Sequence, residues 1–209
     1  SLKIIRHCLN LGACSASKKY FIICQNLKVC TKFENFFRRS FYGDSISETK
    51  RQMNISLIVV GKTDKDYIQK ACEEYFVRIK RYLNFEFKVI KDIKNAKSLT
   101  TAVQNKLEGE KILEELQTSD FVVLLDENGK NPTSKELATF IEKQSVSGLK
   151  NLVFVIGGPY GFSQDVYSRA NYKLSLSKMT FSHQLVRAIF AEQLYRALSI
   201  INNDPYHHE

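Results

Sequence analysis

The chain has 209 residues, 44% of them hydrophobic, enough for one domain of ordinary size around a single core. No uninterrupted apolar run reaches the roughly 18–20 residues that a membrane-spanning helix requires, so a membrane protein of that kind is excluded. The formal charge of +9 suggests a nucleic-acid binder only until it is located: residues 1–52 hold 10 Lys/Arg against 3 Asp/Glu (+7), which leaves 21 against 19 (+2) for residues 53–209.

The cysteines divide at the same place. Cys8, Cys14, Cys24 and Cys30 precede residue 53, and only Cys72 follows it. Their spacings lack the short pairs of zinc sites, so no metal is expected, and a lone Cys72 suits a reducing, cytoplasmic setting. The first methionine is Met53, where the pattern becomes orderly in MNISLIVVGK. Residues 1–52 are basic and acid-poor like a targeting peptide, but the apolar, Cys-bearing run YFIICQNLKVC suits that poorly. They are read instead as sequence upstream of the true start or as a dispensable extension, and the functional domain is taken as 53–209.

Ile55–Val60 is a β-branched run closed by Gly61, a buried strand. Tyr67, Ala71, Tyr75, Ile79 and Tyr82/Leu83 recur at helical spacing with charges between them. Phe85, Phe87, Val89 and Ile93 suggest an alternating strand, and Leu99–Leu116 a helix with acids and bases at exposed positions. Phe121–Leu125 is the next strand, with Asp126-Glu127-Asn128-Gly129 as its closing turn. Thr133 followed by Glu136 is a capping-box pattern and starts a helix that runs to about Ser147.

Leu152–Ile156 is wholly apolar, as in a strand buried on both faces. Tyr172–Ser177 is a short strand, Ser177-Lys178-Met179-Thr180-Phe181 the loop at its end, and Val186, Ile189/Phe190, Leu194, Ala197 and Ile201 the apolar stripe of a final helix. His183, Arg187 and Tyr195 fall on a different face of that helix, where Glu192 and Arg196 form an i,i+4 pair. Strands and helices alternate throughout, which predicts an α/β fold with a mainly parallel sheet and helices on both faces.

Ligands of such sheets collect at the carboxyl ends of the strands. Two ends are chemically marked: Leu125-Asp126, and Gly157-Gly158-Pro159-Tyr160-Gly161, where glycines let backbone groups approach a ligand. The glycines follow the fourth strand instead of the first, which argues against a dinucleotide fingerprint, and no Lys-Ser or Lys-Thr follows them as in a P-loop. A nicotinamide-dependent oxidoreductase and a non-catalytic ribosome-binding protein are the alternative readings.

As a set, VGK, LDENGK, VFVIGGPYG, LSLSKMTFSHQ, EQLYRA and the terminal PYH closely resemble the bacterial ribosomal RNA large-subunit methyltransferase H family, of the SPOUT class. The resemblance spans residues 53–209. It implies an α/β knot, in which the C-terminal segment threads a loop, and S-adenosyl-L-methionine held at Leu125, Gly157 and Leu176-Ser177-Lys178-Met179-Thr180-Phe181. It further implies a homodimer that methylates nitrogen 3 of a pseudouridine in 23S rRNA of the assembled ribosome. His207, with Tyr206, is the first candidate for the catalytic base or for holding the substrate carbonyls, His183 the second, and Arg187 and Arg196 the candidates for phosphate or carbonyl contacts. Many relatives end in Tyr-His and a basic residue, whereas here His208 and Glu209 follow.

Overall fold

The structure is a computed structural model, and it describes residues 53–93 and 99–206. The expectations for residues 1–52 and for His207 and His208 lie outside the described residues. The elements alternate: β1 (Asn54–Val60), α1 (Asp66–Ile79), β2 (Phe85–Ile90), α2 (Thr101–Glu114), β3 (Phe121–Lys130), α3 (Ser134–Val146), β4 (Asn151–Ile156), α4 (Gln164–Arg169), β5 (Tyr172–Leu174) and α5 (Leu185–Ile201). The five strands form one sheet in the order β2-β1-β4-β3-β5, with every neighbouring pair parallel.

Period-two alternation decides which side chain faces which helix layer. On β1, Ile55, Leu57 and Val59 point into a core shared with Ile68, Cys72 and Phe76 of α1, Leu137 and Ile141 of α3, and Phe190 and Leu194 of α5. Ile58 and Val60 point the other way, to Ile112 of α2 and Val166 of α4. Covered on both faces, β1 and β4 need apolar residues at nearly every position, as their sequences show.

Local chemistry sets several boundaries. The Thr133 side chain accepts from Glu136 N while the Glu136 carboxylate accepts from Thr133 N at 2.7 Å, so the expected capping box is formed. Thr100 caps α2 by accepting from Val103 N.

Five points differ from expectation. Ile93 lies beyond β2, which ends at Ile90. The acids of α2 are not all exposed, since Glu108 is buried. Asp126–Gly129 does not close β3: Leu125 and Lys130 both pair with Leu174, so the intervening residues bulge out and the strand resumes. The turn chemistry is real, with Asp126 Oδ1 accepting from Asn128 N at 2.8 Å, but it makes a bulge instead of a reversal. Finally, β5 stops at Leu174, and α4 was not anticipated; at six residues it is too short for a periodicity to show. Among the described residues no helix is long and apolar enough to cross a membrane.

Candidate active site

The sheet register brings the marked strand ends together. Leu125 pairs with Ile156 on one side and with Leu174 on the other. One row across β4, β3 and β5 therefore ends in Gly157, Asp126 and Ser175, at neighbouring strands spaced by about 4.8 Å. All three of the segments expected to bind cofactor, at Leu125, at Gly157 and at 176–181, emerge from this one edge.

The segment after β5 is fixed by hydrogen bonds. Past β5 the backbone is pinned to the resumed part of β3: Ser175 N donates to Lys130 O at 2.8 Å, and Asn131 Nδ2 donates to Ser175 O at 2.9 Å. That approach needs Gly129, because a Cβ there would stand 2.7 Å from the Leu174 backbone. Ser175 Oγ then donates to Ser177 O, and Ser177 Oγ accepts from Met179 N, both at 2.9 Å. Leu176, Ser177 and Phe181 are half-buried, whereas Lys178, Met179 and Thr180 are exposed and form a rim.

On the β4 side Gly157 is buried, and a Cβ on it would meet Gly161 O at 3.0 Å and Phe162 Cε1 at 3.1 Å. Between the two, Tyr167 of α4 donates its hydroxyl to Asp126 Oδ2 at 2.5 Å. Burial, and then that bond, pushes the Tyr167 phenol up to about 12. Backbone donors and acceptors around glycine at adjoining parallel strand ends are the groups a nucleoside-bearing ligand requires, so these residues fit S-adenosylmethionine.

Arg187 is where the structure departs most from expectation. It was placed on a polar face of the last helix; instead it is 0% exposed. Its Nη2 donates to Val60 O at 2.6 Å, its Nη1 to Gly61 O and Thr63 Oγ1 at 2.9 Å each, and its Nε to His183 O at 3.2 Å. Burial pulls its pKa down, against the opposing effects of Cys72, Asp64 and Asp92. Gln184 adds two bonds to the same loop, donating to Lys62 O and accepting from Asp64 N. The start of α5 thus clamps the β1–α1 loop, and Arg187 has no donor facing outward. His183 is half-buried in the turn between Phe181 and α5.

Tyr206 lies against α5. Its hydroxyl donates to Glu192 Oε1 at 3.3 Å, its ring meets Tyr195 edge-on at 4.6 Å, and the Arg196 guanidinium stands 4.9 Å from the ring centre. Arg196 Nε also donates to Glu192 Oε1 at 2.9 Å. Burial, then a hydrogen bond to Tyr75 and the Glu192 charge, push the Tyr206 phenol up to about 12. It stays protonated near neutrality, so it donates a hydrogen bond and takes no proton. In the sequence Glu192 and Arg196 read as an ordinary i,i+4 pair, with Arg196 also a candidate for phosphate or carbonyl contacts; that spacing gave no sign that Tyr206 returns to them.

A five-stranded parallel sheet covered by helices, with glycine and irregular backbone grouped at the ends of β3, β4 and β5, is an α/β fold with a ligand-binding strand edge. Residues 53–207 match the family model described as predicted SPOUT methyltransferase, and the chain belongs to that family. More particularly, it is 57% identical over 157 residues to the ribosomal RNA large subunit methyltransferase H of Parabacteroides distasonis, covering 75% of this chain and 100% of that one. A protein of the same name from Christiangramia forsetii is 54% identical over 156 residues, covering 75% and 99%. A solved structure, a probable methylase family protein from Haemophilus influenzae, aligns at 13% identity with a TM-score of 0.43, over 75% of this chain and 71% of that one.

Proposed function

We propose that residues 53–209 methylate nitrogen 3 of a pseudouridine in 23S rRNA, on the assembled 70S ribosome, with S-adenosylmethionine as donor. The observation that carries the reading is the 57% identity to the whole length of a protein named for ribosomal RNA large-subunit methylation. The converging ends of β3, β4 and β5 support it by supplying the backbone slot. Leu125, Gly157 and Leu176–Phe181 would hold the donor, and threading of the C-terminal segment through a knot would bring the walls together. Residues 1–52 take no part in catalysis, and the enzyme works in the cytoplasm.

When bound, the donor supplies an electrophilic methyl on a sulfonium, open to in-line displacement. The protein's task is to position the base and manage one proton, effects worth roughly 7–11 kcal/mol for well-oriented reactants and about 10²–10⁴ in rate for a general base. His207 takes the proton from nitrogen 3, with His183 as the second candidate. Tyr206, held by Glu192 and Arg196, aims the tail. Arg187 holds the frame.

A domain charge of +2 gives weak electrostatic attraction to RNA. A homodimer, joining two modest basic patches and bringing one subunit's tail to the other's pocket, together with shape recognition by the ribosome, makes up the difference. The deciding experiment is transfer of labelled methyl to 70S ribosomes, 50S subunits and free 23S rRNA. Labelling of 70S alone is expected; no labelling of any of them overturns the proposal. Calorimetry with S-adenosylmethionine against NAD tests the oxidoreductase alternative.

A further inference from the structure

Helix α2 covers the sheet through Ile112, yet another of its faces is polar and shut away. Glu108 is 5% exposed and Gln104 is 9% exposed. Gln104 Nε2 donates to Glu108 Oε1 at 2.7 Å, while Glu108 Oε2 is buried with no partner. Three residues back, Asn105 Nδ2 donates to Tyr160 O at 2.9 Å, and its Oδ1 is likewise buried without a partner.

Both residues face the loop from Gly157 to Gly161. A Cβ on Gly158 would stand 2.4 Å from Glu108 Oε2, so only glycine permits the carboxylate to lie where it does. The neighbouring contact is equally close, since a Cβ on Gly109 would stand 2.1 Å from Ser163 Oγ. Helix and loop are fitted to each other at both ends of this segment.

A buried acceptor without a donor is unfavourable, and an apolar side chain of the same shape would serve a purely packing role better. The oxygen lies beside Gly158, so the nearby donors include the loop N–H groups that flank Pro159, which has none: those of Gly158 and Tyr160.

We propose that Glu108 is a positioning residue for the cofactor loop: when the methyl donor seats at Gly157, the loop shifts so that a backbone N–H of Gly158 or Tyr160 reaches Glu108 Oε2. The bond exists in the donor-bound form and is missing from the free one, so Glu108 contributes to donor affinity without touching the donor. This rests on the reading that Gly157 lines an S-adenosylmethionine site.

The test uses the full chain with S-adenosylmethionine and 70S ribosomes. Glu108→Met removes the acceptor and keeps most of the volume. Because it also strands the buried Gln104 amide, it is expected to lower the melting temperature of the free protein, and to raise the donor Kd by about tenfold, the worth of one buried hydrogen bond. The KM for donor should rise in parallel, with kcat at saturating donor and the KM for ribosomes within about twofold of wild type. Glu108→Gln can turn its amide oxygen to the loop while Gln104 turns over, so it should recover most of the lost affinity. In the wild-type protein, donor binding should slow hydrogen exchange at Gly158 or Tyr160. Unchanged donor affinity in Glu108→Met, or unchanged exchange at both amides in wild type, overturns the proposal. Failure of the wild-type chain to bind S-adenosylmethionine at all would instead overturn the cofactor reading beneath it.

Discussion

Arg187 separates two accounts of the site, because a substrate contact and an internal clamp respond differently to its loss. Replacing it by Met keeps much of the volume but strands the carbonyls of Val60 and Gly61, both bonded to it in buried positions. A buried acceptor left without its donor costs about 1–3 kcal/mol, so the two together cost roughly 2–6. Removing a desolvated cation returns part of this, and about 3 kcal/mol of net destabilisation is expected. For a chain of this size that corresponds to a fall in Tm of about 6–12 °C. Urea unfolding at one fixed protein concentration measures it, since any oligomer links stability to concentration. Arg187→Lys, which still presents an ammonium, should fall between the two. Stability within about 0.5 kcal/mol of wild type, accompanied by a large loss of turnover, would refute the clamp and return Arg187 to the substrate.

Deleting Tyr206–Glu209 should leave S-adenosylmethionine affinity unchanged by calorimetry and abolish methyl transfer; intact turnover would remove the tail from the mechanism. Tyr167 has a raised pKa in the folded state, so its contribution to stability is whole below pH 10 and is lost as pH rises towards about 12. Tyr167→Phe should therefore show a shallower alkaline loss of stability in pH-dependent unfolding than wild type. Glu136 has a lowered pKa, from the backbone and then the side chain of Thr133, so its contribution is present above pH 4.5 and is lost as pH falls through the folded value. Glu136→Gln should accordingly flatten the acid limb of the same curve and leave methyl transfer unaffected.

The α/β alternation was legible because β1 and β4 are continuous apolar runs bounded by glycine and because Thr133 and Glu136 spell a cap. The strand ends at Leu125 and Gly157 were legible from the glycines and the rule for parallel sheets, but their adjacency to each other and to 176–181 was legible only through the resemblance of their motifs, since strand order is not written in periodicity. Arg187 misled because a charged residue at helical spacing is ordinarily solvated, and its burial depends on three acceptors supplied from residues 60–63, more than 120 positions away. Glu108 was hidden for a similar reason. Among the acids and bases of α2 it looks like another exposed charge, and only the nearness of Gly158 distinguishes it. In each case the missing information was the identity of a distant backbone group.

Helix α5 then takes on a double function that its sequence pattern does not separate. Its first turn binds the β1 loop through Gln184 and Arg187, beside the segment that ends at Phe181. Two turns later its other face binds Tyr206 through Glu192 and Arg196. One rigid element thereby fixes both the edge where the donor would sit and the root of the tail that carries His207. Because an α-helix rises 1.5 Å per residue, the nine residues from Arg187 to Arg196 set those two anchor points about 13–14 Å apart along its axis. Changes on the inner face at Arg187 are therefore expected to act on folding, whereas changes at Glu192 and Arg196 would release Tyr206 from a frame that remains intact and, under the proposed role of the tail, are expected to act on turnover.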